Sequence, residues 1–144
     1  MELSKAVFAV WLIGLGFFNT PAEARARVFV EVSLSAQTMH ISVDGQEAYV
    51  WPVSTGRRGH RTPAGTYHPY WLDQHHRSKL YHDVPMPYSV FFNGDIAIHG
   101  TNEVSRLGHP ASHGCVRLAT KNAATLFKLV RKYGMKETDI VVTN

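Results

Sequence analysis

The sequence predicts a mainly β domain with one principal helix. Three observations predict it. Short runs of alternating or apolar residues recur along the chain, Asp44-Gly45 and Asn93-Gly94 punctuate them as tight turns, and only one stretch keeps a helical apolar period. With 144 residues, 44% hydrophobic and 18% charged, the chain has room for one core and no second domain, and it is not wholly disordered.

Residues 1–24 read as a secretory signal peptide. Lys5 is the only positive side chain before residue 25, and 6–18 (AVFAVWLIGLGFF) is an unbroken apolar run. Ala22-Glu23-Ala24 supplies a small-x-small cleavage site, with Ala24-Arg25-Ala26 as a second. A membrane span needs roughly 20 apolar residues, so the run is short for a span and no stable anchor is expected after cleavage. The expected mature domain is 25–144. Of 15 Lys+Arg and 11 Asp+Glu, removing Lys5, Glu2 and Glu23 leaves 14 basic and 9 acidic side chains, a net charge of +5. A basic, exported domain attracts anionic partners such as cell-wall polymer or lipid headgroups. Nucleic acid is not expected as a partner, because no basic tract is interleaved with aromatics.

The elements follow in order. Val28–Ser33 (VFVEVS) and Thr38–Val43 (TMHISV) alternate as strands, and 48–53 follows Asp44-Gly45 as a third. Residues 54–65 are turn-rich, and 66–70 is a short strand. Residues 71–87 hold Trp71, His75, His76, His82, Pro85 and Pro87 and read as a long irregular loop, of the kind that often carries function. Segments 89–92 and 96–99 are apolar strands around Asn93-Gly94, and 116–118 is a short one. From Thr120 to Tyr133, Ala123, Leu126, Phe127 and Val130 share one helical face, Arg131 and Lys132 suit the C-terminal dipole, and Gly134 suits the stop. A closing strand at 139–143 ends the chain.

One cysteine excludes an internal disulfide framework and a cysteine-based zinc cage. In an exported protein an unpaired cysteine is either a small buried residue or a reactive one. Its neighbourhood favours reactivity. His99 ends one apolar strand and Cys115 opens another, so the loop between them brings an imidazole within reach of a thiol and makes it a nucleophile. Gly100 and Gly114 flank this pair and admit substrate close to the backbone. The N–H groups of His113, Gly114 and Cys115 are placed to converge on an oxyanion. Period-2 alternation puts Cys115 and Arg117 on the site face and Val116 and Leu118 in the core. Arg117 then meets a substrate carboxylate or a structural one.

His99-Gly100-Thr101, Gly108 and Ser112-His113-Gly114-Cys115-Val116-Arg117-Leu118 resemble the signature of the L,D-transpeptidase catalytic domain, the YkuD family. Pro52-Val53-Ser54-Thr55-Gly56, Thr62-Pro63-Ala64-Gly65-Thr66 and Met86-Pro87-Tyr88 resemble further family segments, so the likeness covers nearly all of 25–144. The resemblance implies a compact β-sandwich-like domain with its main helix after the catalytic strand. It also implies a cysteine thioester formed from a peptidoglycan tetrapeptide stem, release of terminal D-Ala, and a 3→3 cross-link when another stem's amine takes the acyl group. Attachment of an outer-membrane protein to the wall, or L,D-carboxypeptidase action on water, are the alternatives it carries. Cys115 matches the nucleophile and His99 the base. Gly100 matches the residue whose carbonyl orients the imidazole, and Arg117 matches the family arginine. Ser112, His113 and Tyr88 are grouped with Arg117 as substrate-facing, and Trp71 is placed at the same cleft. No cofactor is expected.

One departure stands out. Many members carry Asp seven residues after the cysteine, where this chain has Asn122. Asn caps a helix but cannot ion-pair with Arg117, so a local compromise or another carboxylate is expected. His68, His75, His76 and His82 have no assigned role. Adjacent histidines point apart on a strand and no carboxylate spacing matches them, so no metal is expected; a loop facing substrate over Cys115 is the preferred reading. A non-catalytic wall-binding module of the same fold remains a rival. Papain-like peptidases place Cys before His, and sortases place the two much farther apart.

Overall fold

The computed structural model describes residues 26–144. The expected signal peptide, residues 1–24, lies outside the described residues. Among the described residues, nine strands form two mixed sheets. The first has the order β3-β2-β1-β9-β4, built from β1 (Val28–Ser33), β2 (Thr38–Val43), β3 (Gln46–Pro52), β4 (Gly65–Tyr67) and β9 (Thr138–Thr143). The second has the order β5-β6-β7-β8, built from β5 (Trp71–Ser78), β6 (Val84–Asn93), β7 (Ile96–Thr101) and β8 (Val116–Ala119). The helix α1 (Thr120–Tyr133) follows β8 directly and packs on β6 and β7. The architecture is the mainly β sandwich with one main helix that the sequence predicts.

Turn chemistry sets the register of the first sheet. Asp44 and Gly45 both have positive φ (49° and 83°), which gives the two-residue turn that pairs Val43 with Gln46. β1 pairs antiparallel with β2 and parallel with β9. Val28, Val30 and Val32 therefore enter the core beside Ile140 and Val142. The inward residues of the second sheet (Val90, Phe92, Ile98, Val116, Leu118) join the same core, capped by Ala123, Leu126, Phe127 and Val130 of α1. Each such side chain contributes about 1.5–3 kcal/mol when fully buried.

Residues 71–87 are not an irregular loop. β5 and the first half of β6 form an antiparallel arm with Trp71↔Phe91, His75↔Pro87 and Arg77↔Pro85 in register. Prolines usually exclude a central strand. Here Pro85 and Pro87 lie before Val90, where pairing with β7 begins, so β6 is an edge at that point and the missing N–H groups cost nothing. The arm does lie over the Cys115 cleft, as the loop reading expected.

The start of α1 differs too. Ala119 occupies the N-cap without a side-chain bond, and Asn122 stands inside the first turn rather than at the cap. The Thr120 hydroxyl ties the helix start to the Thr101 carbonyl (3.3 Å) instead.

Candidate active site

β7 and β8 run parallel, with His99 opposite Arg117 and Ile98 opposite Val116. Cys115 precedes β8 by one residue and lies beside Ala97 near the start of β7, not beside its end. Alternation then separates two faces. Ile98, Val116 and Leu118 enter the core; His99, Cys115 and Arg117 line a cavity of ≈ 690 Å³. The β5–β6 arm forms its other wall, and the arm's tip crosses to the nucleophile loop, where the Tyr81 ring stacks on His113 at 4.4 Å.

The imidazole is held in one tautomer. His99 Nδ1 lies 2.8 Å from the Gly100 carbonyl oxygen. A carbonyl only accepts, so Nδ1 carries the proton and Nε2 keeps the lone pair. The ring is 6% exposed, and burial lowers its pKa to about 4 against the support of the Gly100 carbonyl, with Arg117 and His76 adding to the fall. His99 is therefore a neutral base at pH 7.

Cys115 is the matching neutral acid. Burial pushes its thiol up, while the Ala97 N–H and Arg117 pull the other way and Asp95 adds to the rise. The sulfur accepts from the Ala97 N–H at 3.5 Å and donates toward the Asp95 carbonyl at 3.8 Å. The pair rests as thiol and imidazole.

Gly100 serves packing as well as orientation. A Cβ there would stand 3.0 Å from Thr120 Cα and 3.2 Å from Pro87 Cγ, so the residue's small size lets β7 pass the helix start, and Gly100 also lines the cavity. Gly114 has φ 131°, a backbone that L side chains rarely adopt. Its N–H donates to Ser112 Oγ at 3.0 Å, which withdraws it from the predicted set of oxyanion donors. Ser112 is 1% exposed and donates in turn to the Cys115 carbonyl at 2.6 Å. Its hydroxyl is spent on bracing the nucleophile turn. His113 lines the cavity between Tyr81 and the edge of His60.

Tyr88 is misplaced by the sequence reading. Its ring packs on Phe127 of α1, away from the cavity. Its backbone matters more. At φ 55° it breaks the alternation of β6, so Met86 and Phe91, an odd number of residues apart, both face Cys115 and Ala97. Trp71 lines the cavity as expected. Arg117 meets Glu103, Nη1 to Oε2 at 3.5 Å, and Glu103 also pairs with Arg106. Glu103 is thus the carboxylate near Arg117 in a chain where Asn122 replaces the usual Asp.

The loop histidines divide. His76 lines the cavity, whereas His75 is the exposed neighbour on the strand. His68 binds the Thr138 carbonyl and Asp139 on the other sheet, and His82 sits in the arm's turn at φ 52°. Among the described residues no group of three His, Cys, Asp or Glu side chains is arranged to hold a metal ion.

Residues without an assigned role hold the nucleophile loop. Thr62 is fully buried; its hydroxyl donates to the Gly114 carbonyl at 2.6 Å and accepts from the Gly56 N–H at 3.0 Å. Ser54 exchanges two backbone bonds with Arg117, closing the free edge of β8. Their signal was present in the Ser54-Thr55-Gly56 and Thr62-Pro63 segments, but nothing local in those strings says that they touch residue 114.

Comparison with known proteins bears on the same residues. The family profile described as the L,D-transpeptidase catalytic domain (YkuD) matches residues 27–142. The putative L,D-transpeptidase YkuD of Bacillus subtilis is 25% identical over 114 residues, covering 70% of this chain and 59% of that protein. The solved L,D-transpeptidase of Stackebrandtia nassauensis aligns with TM-score 0.73 and 28% identity over 90% of this chain and 62% of that one. L,D-transpeptidase 3 of Mycobacterium tuberculosis, solved with a faropenem-derived adduct, aligns with TM-score 0.72 and 20% identity over 82% of this chain and 60% of that one. The chain thus spans about three fifths of the length of each of these relatives. With the profile spanning both sheets, the helix and the His99–Cys115 cavity, the chain belongs to the L,D-transpeptidase catalytic-domain family.

Proposed function

We propose that the domain is a peptidoglycan L,D-transpeptidase that works through a Cys115 thioester on tetrapeptide stems. The observation that carries this is the neutral His99 imidazole, fixed by the Gly100 carbonyl, on the same cavity face as the Cys115 thiol. His99 Nε2 takes the thiol proton as sulfur attacks the carbonyl between the third and fourth stem residues. The Cys115 N–H faces the developing oxyanion. The C–N bond then breaks, His99 returns its proton to the leaving amine, and D-Ala departs. An amine of another stem attacks the thioester and forms the 3→3 link. Arg117 holds a substrate carboxylate at the rim, and His113 lines the path with Tyr81. The substrate is extracytoplasmic, which accords with the signal-peptide reading of 1–24; among the described residues no helix is long and apolar enough to cross a membrane.

Incubation with a tetrapeptide stem, with and without an acceptor, tests this. The expected products are free D-Ala and a 3→3 dimer, with loss of both in Cys115→Ala. Release of D-Ala without a dimer points to carboxypeptidase action. A product found only with an outer-membrane acceptor protein points to anchoring. No D-Ala release under any condition would sink the reading.

A further inference from the structure

Resting on that reading, the proton balance of the second half-reaction asks for a group the Cys115–His99 pair does not supply. In acylation the thiol proton passes to His99 and leaves on the departing amine, so the pair ends neutral. The acceptor is different. A free alkyl amine is mostly protonated at neutral pH. Attack by R–NH₃⁺ on the thioester forms one C–N bond, breaks one C–S bond, and yields amide, thiol and one proton more than the pair can retain. His99 can move one proton from the attacking nitrogen to the departing sulfur. Another base must remove the first proton before attack.

The cavity holds a second oriented imidazole. His76 lines the same cavity as His99 and Cys115, from the opposite wall. Its Nδ1 lies 3.1 Å from Asp73 Oδ2. A carboxylate only accepts, so this contact protonates Nδ1 and leaves the lone pair on Nε2 at the far edge of the ring. Asp73 is itself fixed, since its Oδ1 accepts from the His75 N–H at 3.1 Å. The ring packs edge-on against the stacked pair of Trp71 (centroids 5.4 Å, 87°) and Phe91 (4.9 Å, 79°). Both members are partly buried, with side chains 22% and 32% exposed. A solvent-exposed ion pair needs neither this aromatic seat nor this double anchoring. The other acidic groups in the cavity are less suited. Glu103 faces Arg117 and Arg106, and Asp95, which lines the cavity, meets the sulfur through its backbone carbonyl rather than its carboxylate.

We propose that the Asp73–His76 dyad is the base that deprotonates the acyl acceptor, dividing the labour with His99, which serves the thiol and the leaving amine. His99 then serves both half-reactions, and His76, on the opposite wall, serves only the second. The proton taken by His76 passes to solvent through the open side of the cavity.

The test separates a base from a wall residue by changing the acceptor. Wild type, His76→Gln, Asp73→Asn and Asp95→Asn are given a tetrapeptide donor at pH 7 with either a stem-peptide amine or hydroxylamine, which is already neutral at that pH. For His76→Gln the expected result is a loss of about 10²-fold or more in amide formation with the stem amine. Product with hydroxylamine and single-turnover D-Ala release should stay near wild type. Asp73→Asn should lose less, in the same acceptor-dependent way, and Asp95→Asn should not show the pattern. Equal loss with both acceptors would make His76 a packing residue and overturn the proposal, as would no loss with either. Transfer of the acceptor-dependent loss to Asp95→Asn would assign the base elsewhere. Absence of D-Ala release from wild type would overturn the underlying functional reading, and this proposal with it.

Discussion

In the five-stranded sheet, Val28, Val30 and Val32 are fully buried while Phe29 between them is 38% exposed. In the four-stranded sheet, Ala97, Ile98, His99 and Gly100 are buried in succession. The first sheet has one face in the core and one in water, so its strands alternate cleanly. The second is covered on both faces, by the core and α1 on one side and by the β5–β6 arm on the other. A polar residue on the covered outer face is hidden from water without being part of the core. That is the position of His99, and it explains how an imidazole becomes a neutral base: the second layer strips its solvent while leaving a cavity in front of it.

The same contrast governs glycine. Gly56 packs beneath the nucleophile loop, and a Cβ there would stand 1.9 Å from the His60 carbonyl oxygen and 2.7 Å from the Thr62 nitrogen, both backbone atoms. Gly56→Ala is expected to cost more than about 4 kcal/mol and to abolish turnover with the Thr62–Gly114 bond. Gly45 turns the β2–β3 hairpin at φ 83° with nothing within 4 Å. Gly45→Ala is expected to cost only about 1–2 kcal/mol, with activity per folded molecule unchanged. Urea denaturation and stem turnover on the two variants check this; equal costs would erase the distinction between a packed loop and an open turn.

A smaller effect follows from His99. Its folded pKa of about 4 lies below the ordinary value of 6.5, so between these the unfolded chain binds more protons. The stabilisation is fully present above pH 6.5 and is lost as pH falls toward 4, amounting to about 3 kcal/mol. His99→Gln should flatten this part of the stability profile, measured by urea midpoints from pH 7 to 4. Identical slopes in the two proteins would mean the imidazole is not held in its neutral form.

Legibility followed the same division. The strands at Val28–Ser33 and Thr38–Val43, the four buried helix residues, and the inward Val116 and Leu118 could be read because period and turn chemistry are local. The arm could not. Pro85 and Pro87 argue against a strand unless one knows that β7 does not extend beside them, which is a tertiary fact. The sequence groups Tyr88 with the substrate-facing residues, yet at positive φ its ring packs on Phe127. His99 and Cys115 were legible as a pair; the bracing by Ser112, Thr62 and Gly56 was not, since those bonds join residues up to 52 apart. Glu103 near Arg117 was foreseen only as an unspecified carboxylate.

The central claim is that Cys115 is a nucleophile switched on by neutral His99. Intact-protein mass spectrometry after incubation with faropenem at pH 7 tests it most directly. A single covalent adduct is expected on wild type, none on Cys115→Ala, and strongly slowed formation on His99→Gln. An unmodified wild-type protein, or an adduct that persists in Cys115→Ala, would contradict it.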